Sequence, residues 1–264
     1  MNPRNVAARM RRGSGLLLAA ATASLFPAAA LGQITYLNSF ASGGSGNGQF
    51  RFAYGVAVGA GGNVYVVDEL TARVEIFNST GTFLSSFGSF GSGNGQFGDP
   101  EGVAVGAGGN VYVSDTNAPT DERIEVFNSS GVFQSSFGSE GTGNGQFMTP
   151  QGVAMDAGGN VYVADEFNNR VQIFNSSGGY ERSLSGARYA NGVAVAAGGT
   201  VYATDSSEFR VYIYNSSGTL QGSFGGVGSG DGQFQDPEGV AVGAGGNVYV
   251  ADWANDRISK VRTS

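Results

Sequence analysis

The sequence predicts an all-β repeat fold, and three observations carry this prediction. Glycine supplies 46 of the 264 residues and proline only 6, without the three-residue period of collagen, which favours turn-rich β structure. The segment Gly-Val-Ala-Val, or Gly-Val-Ala-Met in the third copy, occurs five times at spacings of 40 to 50 residues. Short segments with alternating apolar and polar residues follow each copy, as is typical of strands.

Four strand-like segments make up one copy of the repeat. The first begins at the Gly-Val-Ala motif, and the second ends in Asp, as in NVYVVD at 63–68. The third opens with Arg, as in RVEIF at 73–77, and the fourth follows an Asn-Ser-Ser/Thr-Gly turn, as in TFLSSFG at 82–88. Four strands in a period of 40 to 50 residues predict one β-propeller blade per copy. The motif glycines are Gly55, Gly102, Gly152, Gly192 and Gly239.

The fifth copy ends before its fourth strand, and the missing strand appears at the other end of the chain. Residues 34–40, ITYLNSF, have the fourth-strand pattern and precede the first Gly-Val-Ala-Val segment. We therefore predict a five-bladed propeller in which this N-terminal strand completes the last blade and removes an exposed sheet edge. A six-bladed ring is the alternative, but it needs about four more strands of ~5 to 6 residues, and no residues are left over for them.

The repeat resembles that of the NHL family, which has a Pro-x-Gly-Val-Ala-Val start, an Asn-Val-Tyr-Val-Ala-Asp strand and an Asn-x-Arg-Val strand. The resemblance covers nearly all of residues 33–264 and recurs five times. Family members commonly form six-bladed propellers, so this chain departs from the family in its blade count. The family has protein-binding, RNA-binding, sensor and enzymatic members, so the resemblance implies a fold and a style of surface rather than an activity.

Residues 1–32 are predicted to be a signal peptide, and residues 33–264 the propeller. Four arginines precede an apolar stretch at 16–30, and small residues at 30–32 offer a cleavage site. The stretch is shorter than the ~20 residues of a spanning helix, although an uncleaved membrane anchor is an alternative. We expect a secreted, periplasmic or cell-surface protein without stable membrane insertion.

Charge and composition exclude several classes of function. The formal net charge is −7, from 14 basic and 21 acidic side chains, so we expect no nucleic-acid partner, because phosphate contacts need clustered Lys and Arg. The sequence has no Cys, so disulfides contribute nothing to stability. It also has no His, which removes imidazole bases, Ser-His-Asp triads and His-ligated metals from this chain.

The candidate ligand-binding residues lie where the repeats differ from one another. In a propeller blade, the connection into strand one and the connection between strands two and three share a face, and variable loops on a rigid scaffold commonly carry function. The residue before each motif glycine places one oxygen-bearing side chain per blade at the mouth of the central channel, unless these positions form only a solvated polar funnel. These residues are Tyr54, Glu101, Gln151, Asn191 and Glu238. Trp253, on a variable loop of the last copy, is a candidate contact anchor or packs against the rim.

Three recurrent features are interpreted as structural. The Asp that ends each second strand and the Arg that opens each third strand are expected to brace the connection, with a ring of ligand-binding carboxylates as the alternative. The Asn-Ser-Ser/Thr turns match N-glycosylation acceptors, but a tight hairpin needs the same residues. Glycine-rich loops of the type GSGNGQF enter four copies and are absent from the fourth, where 185–191 is short. Their phenylalanines are expected to anchor them: Phe50, Phe97, Phe147 and Phe234.

Three functions follow from these features. The leading hypothesis is a non-catalytic, extracytoplasmic binding, sensing or scaffold propeller that holds a protein, peptide or glycan on its variable-loop face and needs no cofactor. The alternative is a metal-assisted lactonase, hydrolase or lyase with a Ca²⁺-type ion in the channel, Glu101 or Glu238 as ligand and Tyr54 as proton donor. The third is a structural surface or matrix protein.

Overall fold

The computed structural model describes residues 17–18, 37–116, 122–243 and 245–262. Within these ranges the regular structure is β-strand, apart from three single-turn 3₁₀ helices, so the all-β prediction is confirmed. The predicted signal peptide lies outside the described residues except for Leu17 and Leu18. In the described part of the chain, no helix is long and apolar enough to cross a membrane.

Five antiparallel sheets form five blades, whose strands lie side by side in sequence order. The first blade comprises β4 (Ala53–Val58), β5 (Val64–Asp68), β6 (Arg73–Phe77) and β7 (Phe83–Phe87). The second comprises β8 (Pro100–Val105), β9 (Val111–Asp115), β10 (Arg123–Phe127) and β11 (Phe133–Phe137). The third comprises β12 (Pro150–Met155), β13 (Val161–Asp165), β14 (Arg170–Phe174) and β15 (Tyr180–Ser185). The fourth comprises β16 (Ala190–Val195), β17 (Val201–Asp205), β18 (Arg210–Tyr214) and β19 (Leu220–Gly225). The fifth comprises β20 (Pro237–Val242), β21 (Asn247–Asp252) and β22 (Arg257–Arg262).

Short elements complete the chain. Three more strands are β1 (Leu17–Leu18), β2 (Ser42–Gly43) and β3 (Gln49–Phe50). The 3₁₀ helices span Glu69–Thr71, Glu166–Asn168 and Trp253–Asn255, each between the second and third strand of its blade. β1 pairs in parallel with Gly55 and Val56 of β4 and also lies beside β20, between the first and last blades.

The fifth blade has three strands among the described residues, because β22 pairs there only with β21. Residues 37–40, the described end of the predicted closing strand, are not in a strand. Phe40 nevertheless lies against Phe77 of the first blade, with ring centroids 5.0 Å apart, much as Phe87 lies against Phe127 of the second at 4.5 Å. Residues 34–36 lie outside the described ranges, so closure of the last blade by this segment stays a prediction.

The apolar core lies between neighbouring blades. The alternation along each strand gives every blade two faces, and each buries its apolar side chains against the next blade. Val67 and Val74 of the first blade, for example, pack in one cluster with Val111, Val113 and Phe127 of the second. All five side chains are almost completely buried, so the burial of apolar surface between blades, rather than within one sheet, stabilises the ring.

The inner strands approach one another through the motif glycines. A Cβ atom on Gly55 would lie 2.3 Å from the carbonyl oxygen of Glu101 in the next blade, and one on Gly102 would lie 2.2 Å from that of Gln151. Gly152 and Gly192 make the corresponding approaches to the next inner strand at 2.7 and 2.4 Å. Any side chain at these positions would push the inner strands apart, which explains why the repeat keeps glycine there.

Candidate functional site

The two connections that carry sequence variation lie on one face of the propeller, which we call the loop face. Backbone hydrogen bonds join them: the Glu69 N–H donates to the Phe52 carbonyl at 3.0 Å, and the Trp253 N–H to that of Asp236 at 2.8 Å. The corresponding bond links Thr116 to Asp99 in the second blade. The prediction that these connections share a face is therefore confirmed.

The Asp that ends each second strand braces the loop face from inside. In the second blade, Asp115 accepts hydrogen bonds from the backbone N–H groups of Gly98 and Asp99, at 2.8 and 3.0 Å. Burial raises the pKa of Asp115 to about 6, although these hydrogen bonds act to lower it. The same bracing recurs in the other blades, as the structural interpretation predicted. The five side chains are fully buried: Asp68, Asp115, Asp165, Asp205 and Asp252.

In four of the five blades, the Arg that opens the third strand holds the preceding glycine-rich loop. Arg170 donates to the carbonyl oxygens of Gly143 and Gln146, at 2.7 and 2.8 Å. The predicted pairing with the strand-two aspartate is present in the third and fifth blades, at 2.9 and 3.1 Å, and looser in the second at 3.7 Å. The loop phenylalanines are anchored as expected: Phe97, Phe147 and Phe234 are fully buried and Phe50 is half-buried.

A second buried acceptor supports each of the first three loops. The side chain of Glu125 accepts the Gly95 N–H at 3.3 Å in the second blade, and that of Gln172 accepts the Gly145 N–H at 2.9 Å in the third. Although Glu125 pairs with Arg123 at 2.9 Å, burial outweighs this attraction and raises its pKa to about 7. The side chain that supports the loop is therefore ionisable in the second blade, where it is Glu125, and neutral in the third, where it is Gln172.

Hydrogen bonds join four of the residues before the motif glycines, which we call the mouth residues, in two pairs. The Tyr54 hydroxyl donates to Gln151 Oε1 at 3.3 Å, which joins the first blade to the non-adjacent third blade. Asn191 Nδ2 donates to Glu238 Oε2 at 3.1 Å between the fourth and fifth blades. Tyr54, Glu101, Gln151 and Asn191 are at most 4% exposed, and Glu238 is half-buried.

The residue fifteen positions after each mouth residue belongs to a second set of side chains at the mouth. Thr116 Oγ1 donates to Glu101 Oε1 at 3.3 Å, and Ser206 Oγ donates to Asn191 Oδ1 at the same distance. In the third blade, Gln151 Nε2 donates to Glu166 Oε2. Sequence reasoning selected only Trp253 from this set, although its position directly after the strand-two aspartate was a usable signal. The missed residues are Glu69, Thr116, Glu166 and Ser206.

The rim of the loop face carries partly exposed aromatic side chains. Trp253 begins the last 3₁₀ helix and is half-buried. Phe167 and Tyr189 are 37% and 42% exposed and meet edge to face, with ring centroids 5.7 Å apart. Tyr189 has a φ of +43°, a conformation that non-glycine residues rarely adopt. Aromatic groups beside buried donors and acceptors are typical of binding sites.

The opposite face, which we call the turn face, repeats the same hairpin turn. Asn78 Oδ1 accepts hydrogen bonds from the backbone N–H groups of Thr80 and Thr82, at 3.0 and 2.9 Å. Asn175 makes the same two bonds, to Ser177 and Gly179, at 3.0 and 2.9 Å. These asparagines therefore shape the turns, as the structural interpretation predicted.

The described residues contain no group of three or more His, Cys, Asp or Glu side chains arranged to hold a metal ion. The mouth carboxylates instead lie with amides and hydroxyls: Glu101 with Thr116, Glu166 with Gln151, and Glu238 with Asn191. Such groups offer hydrogen-bond donors and acceptors to a ligand.

The fold and the repeated mouth define a β-propeller built from one recurring blade with a variable loop face. Three of its repeats match the family model described as NHL repeat, at residues 97–118, 147–174 and 234–261. Together with the five repeated blades, these matches support an NHL-repeat β-propeller. No curated protein sequence matches this chain significantly.

Solved structures share the fold at low sequence identity. Streptogramin B lyase is 13% identical with a TM-score of 0.62, over 80% of this chain and 65% of its own. A catalytically inactive virginiamycin B lyase from Staphylococcus aureus with quinupristin is 13% identical with a TM-score of 0.61, over 83% of this chain and 71% of its own. A nidogen/laminin complex chain is 21% identical with a TM-score of 0.54, over 65% of this chain and 63% of its own. This chain thus spans slightly less than two thirds of streptogramin B lyase, and the likeness shows the fold alone.

Proposed function

We propose that this protein is a non-catalytic, extracytoplasmic binding or scaffold propeller that holds a protein, peptide or glycan on its loop face. One observation carries the proposal: the five mouth positions hold four different residue types, with Glu in the second and fifth blades, although the backbone that presents them is the same. A position with only a structural role would keep the same residue in all five copies, as the position of the motif glycine beside it does. Variation on a fixed scaffold is typical of a surface that recognises a ligand.

The chemistry of the mouth supports recognition of a polar ligand. Amide, hydroxyl and carboxylate groups of Tyr54, Gln151, Asn191 and Glu238 are held in place by hydrogen bonds to one another, so they are preorganised for binding. The NHL-repeat propeller fold also supports a binding or scaffold role. Trp253, Phe167 and Tyr189 add aromatic surface at the rim, and aromatic side chains contribute much of the binding free energy in many interfaces.

The extracytoplasmic part of the proposal rests on the sequence of residues 1–32, with its basic start, apolar stretch and small residues at 30–32. Expression of the full chain with a C-terminal tag tests it. Recovery of a tagged product that begins near Gln33 outside the cytoplasm supports secretion, whereas a full-length cytoplasmic product contradicts it.

Affinity capture from the secreted and envelope fractions of the source cells tests the binding role. The parent chain is compared with a mouth variant carrying Glu101→Ala, Glu238→Ala and Trp253→Ala. The control carries Ser79→Ala, Ser129→Ala and Ser216→Ala on the turn face. We expect a ligand that the parent and the control retain and the mouth variant loses. Equal retention by all three proteins would contradict recognition by the loop face.

A second candidate function is a metal-assisted lyase or hydrolase, and the two lyases among the similar structures favour it. Glu101 or Glu238 would hold a Ca²⁺-type ion, and Tyr54 would donate the proton. In the virginiamycin B lyase, the inactive protein has a histidine replaced by alanine, whereas this chain has no histidine. Any proton transfer by this chain would therefore use another group.

Incubation of the protein with quinupristin and with simple lactones, with Ca²⁺ or with a chelator, tests this candidate. Turnover that needs the ion and is lost in Tyr54→Phe would establish the enzyme. No turnover under any of these conditions would leave the binding role as the better account.

A further inference from the structure

Four of the five blades hold a glycine-rich loop against the arginine of the third strand. Arg73 donates to the carbonyl oxygens of Ser45, Gly46 and Gln49, at 3.0, 2.7 and 3.1 Å. In the second, third and fifth blades, the corresponding arginines donate in the same way, each to two or three loop carbonyls. These arginines are Arg123, Arg170 and Arg257. In these four blades, the arginine of the third strand therefore forms part of a binding site for such a loop.

The fourth blade has the same arginine but no such loop. Arg210 pairs with Asp205 across the strands in the register that Arg170 and Asp165 have in the third blade. The short connection 185–191 does not reach it, and the described residues give Arg210 one hydrogen bond, from Nη1 to Ser223 Oγ at 3.2 Å. The arginines of the other four blades each donate to two or three loop carbonyls instead.

The apolar floor of this place is also uncovered. In the first two blades, Gly48 and Gly95 approach the first residue of the fourth strand, so that a Cβ on either would lie 3.4 to 3.6 Å from Phe83 or Phe133. These two phenylalanines are half-buried. Leu220 has the corresponding position in the fourth blade and is 45% exposed. A segment over Leu220 would complete the fourth blade as the loops complete the others.

The deep end of the place is already filled by a tyrosine. A Cβ on Gly88 or Gly138 would meet the ring of a loop phenylalanine, Phe97 or Phe147. A Cβ on the corresponding Gly186 would lie 3.4 Å from the Tyr214 hydroxyl, 3.6 Å from the Tyr212 ring and 3.7 Å from the Leu220 side chain. The Tyr214 hydroxyl donates to the Ser185 carbonyl at 3.2 Å and accepts the Ala187 N–H at 3.3 Å. A segment bound here needs no aromatic anchor.

We propose that this open place on the fourth blade, lined by Arg210, Ser223 and Leu220, binds an extended, glycine-rich peptide segment of a partner protein. Backbone carbonyls of the segment accept hydrogen bonds from the Arg210 guanidinium, and its small residues lie over Leu220. The four loops of this same chain show the chemistry that such a place accepts. The inference rests on the proposed binding function and specifies one class of ligand for it.

The experiment uses the full propeller and the synthetic peptide acetyl-Gly-Ser-Gly-Asn-Gly-Gln-amide, which copies the loop without its phenylalanine. Binding is followed by backbone amide NMR shifts. We expect saturable shifts around β18 and β19, and a dissociation constant raised at least about tenfold by Arg210→Ala, because charge-assisted hydrogen bonds are lost. Arg51→Ala, which removes an exposed charge from the loop face of the first blade, is the matched control.

Three results would overturn the proposal: no saturable shift with the peptide, shifts away from the fourth blade, or equal affinity in Arg210→Ala. A concentration-dependent oligomer that Arg210→Ala dissolves would assign the place to a loop of a second copy instead. A peptide with valine for each glycine is expected to bind more weakly. Ligand capture by the mouth is unaffected by Arg210→Ala, so failure of this inference is distinguishable from failure of the proposed function.

Discussion

Glu101 and Gly102 are neighbours in β8, yet the position of Gly102 is glycine in every copy of the repeat and the position of Glu101 varies. The motif glycine occurs in all five copies, and at Gly102 a Cβ atom would meet a carbonyl oxygen of the next inner strand. The position before this glycine holds Tyr, Glu, Gln, Asn and Glu in the five blades, and in the second blade the Glu101 side chain accepts a hydrogen bond from Thr116 in the mouth. The Glu101 carbonyl oxygen, however, is the atom that Gly55 packs against. At these adjacent positions the backbone builds the seam between blades, and the side chain is the part that varies between copies.

Gly102→Ala should give the largest effect, because its Cβ would lie 2.2 Å from the Gln151 carbonyl oxygen. We expect a loss of at least about 3 kcal/mol in the free energy of unfolding, measured by urea denaturation, as the inner strands are forced apart. Gly108→Ala in the same blade is the control, since no atom lies within 4 Å of its Cβ position. Similar losses in both variants would show that the seam is not a close contact.

Glu125→Gln should remove part of the pH dependence of stability. Burial raises the folded-state pKa from 4.5 to about 7, so the folded protein binds the proton more tightly than the unfolded chain. Stability from this group is therefore complete below about pH 4.5 and declines as the pH rises to about 7. The variant, which copies Gln172 of the third blade, should equal the parent near pH 4 and exceed it by about 2 kcal/mol near pH 8.

Urea denaturation at both pH values measures this difference. Gln172→Glu is the reciprocal control and should introduce the same decline into the third blade. A constant difference between parent and Glu125→Gln across this range would contradict a raised pKa for Glu125.

Ser114→Ala tests a hydroxyl that bridges the inner strands of the second and third blades. Ser114 Oγ accepts the Gly102 N–H at 2.8 Å and donates to the Gln151 carbonyl at 2.6 Å. Its loss leaves two buried backbone groups without this partner, so we expect a destabilisation of about 1 to 2 kcal/mol in urea denaturation. The third blade has Ala164 at this position, so the fold tolerates the change. An unchanged free energy of unfolding would show that the hydroxyl adds nothing to the seam.

Glu101→Gln should change stability least, by less than about 0.5 kcal/mol, because the amide keeps the shape and the acceptor for Thr116. The same substitution should weaken ligand capture by the loop face, since the mouth loses a carboxylate. Thermal unfolding and ligand capture are measured on one preparation. A large loss of stability would instead assign the side chain, as well as the backbone, to the seam.

The sequence predicted the blades, the shared loop face and the bracing role of Asp115 and its counterparts because each depends on contacts that recur with the repeat. It also singled out the mouth residues from their fixed place before the glycine. The bond between Tyr54 and Gln151 was not predictable, because those residues are 97 apart and meet only through the geometry of the ring. Glu69 and Glu166 were missed although they directly follow the strand-two aspartate, because the sequence does not show that this position lies beside the residue fifteen positions earlier, as Glu166 lies beside Gln151.

The seam contacts have a consequence for how such a chain can change. Between Gly55 and Glu101, or Gly102 and Gln151, the matching atoms are an α-carbon and a carbonyl oxygen, which every amino-acid sequence with a glycine at that site possesses. This inner contact places no demand on side chains, whereas the apolar clusters between blades, such as that of Val67 with Val111, do. Exchange of repeats within the gene would keep this inner contact and change only the combination of mouth residues that the ring presents.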